Sequence, residues 1–113
     1  MHEMSVCRSL LGIVAEQARQ HRVNRVLAVK IEVGALRGIV PEHLTYYFDF
    51  LKKGTVAEGA VLVVDLVPGE VQCQRCRTRF PLDDKGYVCT SCSSHEVELV
   101  AGLELKVKTM QVE

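Results

Sequence analysis

Hydrophobic residues recur at helical spacing in two segments of the chain. In residues 4–21 they stand three or four positions apart, which puts their side chains on one face of an α-helix. In the second segment, Pro41 suits the first position of a helix, Glu42 suits its first turn and Gly54 suits its end. The pattern predicts two amphipathic helices, with apolar faces formed by Met4, Cys7, Leu10, Leu11, Val14 and Ala18 in the first and by Leu44, Tyr47, Phe48 and Leu51 in the second.

Three further segments have patterns that are typical of β-strands. Residues 25–33 alternate apolar and polar positions, and residues 103–108 do the same near the end of the chain. Residues 60–67 form an almost continuous apolar run, which predicts a buried strand. Met110 and Val112 shift the phase of the last apolar stripe, so we expect a β-bulge or a distorted chain end there. The predicted inward-facing residues of the alternating strands are Leu27, Val29, Ile31 and Val33 in the first and Leu103, Leu105 and Val107 in the last.

The composition changes between about Glu70 and Glu98. This stretch has few aliphatic residues but contains four of the five cysteines, so it cannot bury enough apolar surface to fold unaided. A structural zinc ion contributes roughly 10–16 kcal/mol in small peptides, which is enough to stabilise such a segment. Since the last strand finds no core within this stretch, we expect it to return to the first sheet.

The expected fold class is therefore α/β (α+β). We expect a small mixed three-stranded sheet with two helices, plus a zinc-ribbon-like module inserted between two strands. The expected domains are an α/β domain of residues 1–69 and 99–113 and a zinc-binding domain of residues 70–98.

Two CxxC pairs form the strongest chemical motif of the chain. Each short turn lets two thiolates point at one tetrahedral centre, and the twelve residues between the pairs can bring the second pair back to the first. Four soft, anionic sulfurs suit Zn(II), and a closed set of four protein ligands is typical of a structural site. The expected zinc ligands are Cys73, Cys76, Cys89 and Cys92.

Composition and charge argue against several classes of protein. The chain has 113 residues, 48% of them hydrophobic, and balances 14 Lys and Arg against 14 Asp and Glu. A nucleic-acid-binding protein usually has a basic excess, and no apolar run approaches the roughly 18 residues of a membrane span. The start of the chain lacks the basic region of a secretory signal, so we expect reduced cysteines and a cytoplasmic location.

Met1-His2-Glu3 forms a second group that can hold a metal. The α-amine of Met1, the backbone nitrogen of residue 2 and the imidazole of His2 can chelate one ion through adjacent rings, and the Glu3 amide can supply a fourth nitrogen. Square-planar nitrogen donation suits Ni(II) or Cu(II) rather than zinc. The alternative is that His2, like most histidines near a chain end, is simply solvated.

Two more segments complete a resemblance that covers nearly the whole chain. They are Val-Gly-Ala-Leu-x-Gly-Ile-Val-Pro-Glu at 33–42 and Gly-Thr-Val-Ala-Glu-Gly-Ala at 54–60. With Met-His-Glu at the start and the CxxC pairs in the same order, the chain resembles the HypA/HybF family, the nickel metallochaperones of nickel–iron hydrogenase maturation. The resemblance implies nickel binding at His2, with Met1 contributing its N-terminal amine and Glu3 its backbone amide, and structural zinc at the four paired cysteines.

The resemblance also implies a function and partners. The protein would capture Ni(II), dock on the hydrogenase large-subunit precursor and pass the ion to it, as a carrier and not as an enzyme. Relatives work beside a nickel-binding GTPase, and this chain has no G-x-x-x-x-G-K-[ST] phosphate loop of its own. No nucleic-acid or membrane partner is implied, and a homodimer stays open beside a monomer. The domain of residues 1–69 and 99–113 would be the nickel-binding domain.

Two other functions remain as alternatives. A zinc-ribbon module that binds nucleic acid or acts in regulation is disfavoured by the neutral charge and by the absence of an evident recognition helix. A zinc hydrolase or CxxC thiol oxidoreductase is disfavoured because four thiolates leave no open position on zinc and a tightly held metal quenches the thiols. Outside these motifs, Cys7 is predicted to pack in the core, and His95 to lie on the surface or beside the zinc ligands.

Overall fold

The computed structural model describes residues 3–83 and 86–113. Met1 and His2, on which the expected nickel site depends, lie outside the described residues. Both predicted helices and all three predicted strands are present, and within the described ranges no helix has both the length and the apolar content to cross a membrane. The elements are α1 Glu3–Gln20, β1 Val26–Gly34, a 3-10 turn Ala35–Arg37, α2 Pro41–Leu51, β2 Val61–Val67, β3 Glu70–Cys73, β4 Arg79–Pro81, β5 Val97–Ala101 and β6 Leu105–Val112.

A mixed sheet and the two helices enclose the larger core. β1 is the central strand, parallel to β2 on one side and antiparallel to β6 on the other. α1 and α2 pack against each other, with α1 next to β6 and α2 next to β2. The core between helices and sheet is aliphatic apart from Cys7 and Phe48, which agrees with the scarcity of aromatic residues. The predicted three-stranded mixed sheet with two helices is confirmed.

β2 is an edge strand, which corrects the prediction of a buried strand for residues 60–67. Val61 is 62% exposed and Leu66 is 53% exposed. The apolar run fails as a signal of burial because β2 is an edge strand and its alternate residues Val61 and Val63 lie on the sheet face away from the helices. The sheet face away from the helices also carries charge, for example in the ion pair between Lys30 Nζ and Asp65 Oδ2 at 3.5 Å.

The first residues of β1 are out of phase with the rest of the strand. The register between β1 and β6 shifts between Val26 and Ala28. As a result Val26 is buried, while Leu27 is 40% exposed. The predicted inward position of Leu27 is therefore wrong, because simple alternation assumes an uninterrupted ladder.

The bulge predicted near the end of the chain is present in β6. Thr109 and Val107 pair with consecutive residues of β1, so that Lys108 between them is the extra residue. The inward phase resumes at Met110, which packs against the core. Leu103 precedes β6 and is 51% exposed, so its predicted inward position is wrong.

The cysteine segment forms a second, smaller sheet. Its strand order is β4-β3-β5, with antiparallel pairs throughout. Val71 and Phe80 are buried together with Cys73 and Cys89, so this module has a small core of its own that includes two of the sulfurs. Because β6 follows this sheet in the chain and pairs with β1, the predicted insertion between two strands of the larger sheet is confirmed.

Backbone contacts join the two modules. A Cβ atom built on Gly34 would lie 2.0 Å from the carbonyl oxygen of Gly102. The two backbone segments can therefore approach this closely only because residue 34 has no side chain. The Leu36 amide donates a hydrogen bond to the Gly102 carbonyl at 2.9 Å. Arg37 Nε donates another to the Leu103 carbonyl at 2.6 Å. The small sheet is thereby held against the end of β1.

Candidate metal centre

The four paired cysteines meet in one cluster. Their sulfur atoms all lie within 4.8 Å of one another. Cys73 Sγ is 3.6 Å from Cys92 Sγ, and Cys76 Sγ is 3.5 Å from Cys89 Sγ. Sulfurs around a tetrahedral zinc ion, with Zn–S distances of about 2.3 Å, are roughly 3.8 Å apart, whereas the sulfurs of a disulfide are about 2.05 Å apart. The cluster therefore fits a single tetrahedral metal ion and not a pair of disulfides.

Two loops of the same form present the sulfurs: the first knuckle, residues 73–78, and the second knuckle, residues 89–94. In each knuckle the residue after the CxxC pair has a left-handed backbone, with φ of 66° at Arg77 and 62° at Ser93. This conformation turns the chain back over its own cysteines. The hydrogen bonds that close the loops are Cys73 N–H to Thr78 O at 2.9 Å, Arg77 N–H to Cys73 O at 3.0 Å, Cys89 N–H to Ser94 O at 2.9 Å and Ser93 N–H to Cys89 O at 3.0 Å.

Backbone amides inside the knuckles point at sulfur. The Cys76 nitrogen lies 3.5 Å from Cys73 Sγ, and the Cys92 nitrogen lies 3.4 Å from Cys89 Sγ. Ser91 directs a second amide at Cys89 Sγ, at 3.4 Å. Amide donors favour the thiolate over the thiol, and the Cys76 amide is the main reason that the pKa of Cys73 lies below its ordinary value. The knuckles are thus organised for anionic sulfur, the form that binds zinc.

Two of the four sulfurs are exposed, those of Cys76 and Cys92. The Thr78 hydroxyl oxygen lies 3.2 Å from Cys76 Sγ. This hydroxyl, followed by the Thr78 amide, lowers the pKa of Cys76 to about 6. At Cys92 the Ser94 amide acts in the same direction, but hydrogen bonds with the neighbouring thiols outweigh it and raise the pKa of Cys92 to about 12. The two exposed sulfurs are therefore chemically unequal.

A metal held by this cluster is closed to further ligands. Four protein sulfurs complete a tetrahedral shell, so neither water nor substrate has a coordination position, which is typical of a structural ion. Across the described residues, no other group of three or more His, Cys, Asp and Glu side chains lies close enough to hold a metal. Cys7 is buried in the larger core, as predicted, and His95 is exposed.

Glu3 is the one member of the expected nickel site that the structure describes, and it begins α1. Its carboxylate accepts a hydrogen bond from the Val40 amide at 3.4 Å. The amides of Glu3 itself and of Val40 hold the pKa of this carboxyl below its ordinary value, and the charge of His43 adds to the effect. The start of α1 is thereby tied to the residue that precedes α2.

Thr78 is a site residue that the sequence pattern does not reveal. A hydroxyl residue two positions after a CxxC pair is a signal, but it is not sufficient. Ser94 occupies the same position in the second knuckle, and its Oγ accepts a hydrogen bond from the Glu96 amide at 3.0 Å. Only the folded loops show which hydroxyl contacts a sulfur.

Sequence comparisons connect this geometry to known proteins. The chain matches the family model HypA, described as "Hydrogenase/urease nickel incorporation, metallochaperone, hypA", over residues 1–112. It is 42% identical over 113 residues to the hydrogenase maturation factor HypA of Geobacter sulfurreducens, with 100% of both chains covered. The protein of the same name from Trichodesmium erythraeum is 38% identical over 113 residues, with 100% of this chain and 96% of that chain covered.

Solved structures share the fold. The solution structure of the Ni metallochaperone HypA from Helicobacter pylori superimposes with a TM-score of 0.72 at 23% identity, covering 99% of this chain and 97% of that chain. A second solution structure of a HypA protein superimposes with a TM-score of 0.78 at 23% identity, covering 100% and 97%. Since the family model matches almost the whole length, the chain belongs to the HypA family.

Proposed function

We propose that this protein is a nickel metallochaperone that delivers Ni(II) to the nickel–iron hydrogenase large subunit during maturation. The observation that carries this proposal is the family match over residues 1–112, which includes the Met-His-Glu start and both CxxC pairs. The cluster of four sulfurs supports a structural zinc ion in the same chain, held by Cys73, Cys76, Cys89 and Cys92.

In this proposal the N-terminus binds nickel through nitrogen atoms. The donors are the amine of Met1, the backbone and imidazole nitrogens of His2, and the backbone amide of Glu3. The Glu3 carboxylate accepts a hydrogen bond from the Val40 amide and is not one of the proposed nickel donors. Square-planar nitrogen and tetrahedral sulfur donors select different ions, so nickel and zinc do not compete for one site.

The proposed activity is transfer and not catalysis. The zinc ion crosslinks the two knuckles, and the closed sulfur shell supports a role without hydrolysis. Nickel passes to thiolates of the large-subunit precursor in the cytoplasm, beside a nickel-binding GTPase. The proposed division assigns nickel binding to residues 1–69 and 99–113 and zinc binding to residues 70–98; β5, which pairs within the small sheet, extends past that boundary to Ala101.

A nickel titration tests the proposal. We expect the protein with its native start to bind about one Ni(II). His2→Ala and a variant with one residue added before Met1 should bind no nickel, because the chelate needs both the free amine and the adjacent imidazole. Isothermal titration calorimetry measures nickel, and elemental analysis measures zinc in every sample. His21→Ala changes an exposed histidine just after α1 and is the matched control, which keeps nickel.

Three results would speak against the proposal. Equal nickel binding by all variants would contradict the N-terminal site. A native protein that binds no nickel but binds DNA or RNA would favour the zinc-ribbon binding module. Zinc content well below one ion per chain in active protein would favour a thiol or hydrolytic enzyme.

A further inference from the structure

The two knuckles have the same backbone hydrogen bonds but differ at one side chain. In the first knuckle the Thr78 hydroxyl lies 3.2 Å from Cys76 Sγ. In the second knuckle the equivalent hydroxyl, that of Ser94, instead accepts a hydrogen bond from the Glu96 amide at 3.0 Å. Among the described residues no hydroxyl is bonded to the Cys92 sulfur, whose side-chain partners are the other thiols of the cluster.

This difference changes the chemistry of an exposed ligand. A metal-bound cysteine is a thiolate without a proton, so the Thr78 hydroxyl is the donor and Cys76 Sγ the acceptor. A hydrogen bond to an anionic acceptor is stronger than one between neutral groups, and it keeps the sulfur in the anionic form that binds zinc. Donors of this kind around metal ligands typically change metal affinity 10–100-fold when they are removed. Cys76 and Cys92 are the two sulfurs that solvent and other reagents reach, so the donor acts where the shell is accessible.

We propose that Thr78 is a positioning residue that holds the Cys76 thiolate on zinc, so that the site opens at Cys92. This inference rests on the proposed zinc site. Cys92 has the backbone support common to both knuckles but lacks the hydroxyl donor, and it is therefore the first sulfur to leave the metal. An incoming ligand, such as a competing thiol or a chelator, then takes the coordination position that Cys92 leaves.

Zinc release tests the role of the hydroxyl. Thr78→Val removes the donor at almost unchanged shape, and Thr78→Ser keeps it. Thr90→Val is the matched control, because Thr90 is an exposed threonine of the second knuckle whose side chain bonds no described sulfur. Zinc-loaded proteins are challenged with a chromogenic chelator. We expect Thr78→Val to release zinc roughly tenfold faster than the native protein, and Thr78→Ser and Thr90→Val to release it at the native rate.

A second measurement identifies the cysteine that leaves the metal first. Zinc-loaded proteins are treated with limiting N-ethylmaleimide, and the modified cysteines are identified by mass spectrometry. We expect Cys92 to react before Cys76 in the native protein, and both to react to a similar extent in Thr78→Val. Cys73 and Cys89 are buried and report on folding, since a general loss of structure would expose them too.

The outcomes separate this inference from the zinc site itself. Zinc-loaded native protein in which Cys76 reacts first would overturn the inference, as would an unchanged release rate in Thr78→Val. If Thr78→Val does not fold, the order of labelling in the native protein still decides. Native protein that binds no zinc would overturn the proposed zinc site and, with it, this inference.

Discussion

Cys7 and Cys76 show how the surroundings of a residue decide its chemistry. Cys7 is fully buried, donates its S–H to the Leu44 carbonyl at 3.1 Å, and has a pKa raised by burial to about 11. Cys76 is exposed beside the Thr78 hydroxyl, which lowers the pKa of its thiol to about 6. The same side chain is therefore a neutral core residue in one place and a ready metal ligand in the other.

The burial of Cys7 predicts both its contribution to stability and the pH dependence of that contribution. We expect Cys7→Ala to lower the free energy of unfolding by about 1–2 kcal/mol at pH 7, because it leaves a cavity and removes the S–H hydrogen bond to the Leu44 carbonyl. Since the pKa is raised in the folded state, the contribution of the thiol is complete below about pH 8.5 and is lost as the pH rises through about 11.

Urea unfolding at pH 7 and pH 10 measures this effect. Between these two values the native protein should lose more stability than Cys7→Ala, which has no thiol at this position. Zinc content should be unchanged by the substitution, since Cys7 belongs to the other core. An equal loss of stability in both proteins would show that the Cys7 thiol does not titrate differently on folding.

Among the strands, the position of a strand in the sheet decides how much its apolar side chains contribute to stability. β1 is central and β2 is an edge, although both are rich in Val, Leu and Ile. Alternation predicted β1 and a continuous apolar run predicted β2, because both patterns are local properties of the sequence. Neither pattern could predict the register shift beside Leu27 or the exposure of β2, because both depend on which elements come to lie alongside.

Paired substitutions on these strands test the assignment. We expect Ile31→Ala to cost about 2–5 kcal/mol, because Ile31 is 0% exposed in the central strand. Val63 is 42% exposed on β2, so Val63→Thr should change stability by less than about 0.5 kcal/mol. Urea denaturation of both variants measures the contrast. A cost at Val63 close to that at Ile31 would mean that β2 is covered in solution.

In the whole molecule, one contact between the two modules depends on the missing side chain of Gly34. Gly34 has φ of −69° and ψ of 133°, angles that any residue adopts, so its conformation does not require glycine. The requirement is space, because the Gly102 carbonyl oxygen would lie 2.0 Å from a Cβ atom at position 34. This close contact is made of backbone on both sides and cannot be relieved by a change of rotamer.

Gly34→Ala should therefore destabilise the protein by about 1–3 kcal/mol or more through steric overlap at the junction. Gly12→Ala is the matched control: nothing lies within 4 Å of its added Cβ, and in the helix α1 it should raise stability by about 0.5–1 kcal/mol. Thermal unfolding measures both, and zinc content should stay unchanged because the small sheet has its own core. Similar melting temperatures for Gly34→Ala and the native protein would contradict the close junction.

The sequence was sufficient for the properties that depend on neighbours along the chain. Periodicity placed both helices and two strands of the larger sheet, an apolar run placed β2, and CxxC spacing predicted the four sulfurs that the structure brings within 4.8 Å. These signals are short-range, since a helical face or a pair of thiolates on one turn is specified within a few residues.

Long-range geometry was needed for the remainder. The edge position of β2, the outward turn of Leu27 and the junction at Gly34 follow from strands and loops that are distant in the chain. The same holds at the metal centre, where Thr78 contacts a sulfur and Ser94 contacts a backbone amide. Two hydroxyl residues in equivalent sequence positions differ there, because each side chain bonds the partner that the surrounding fold places within its reach.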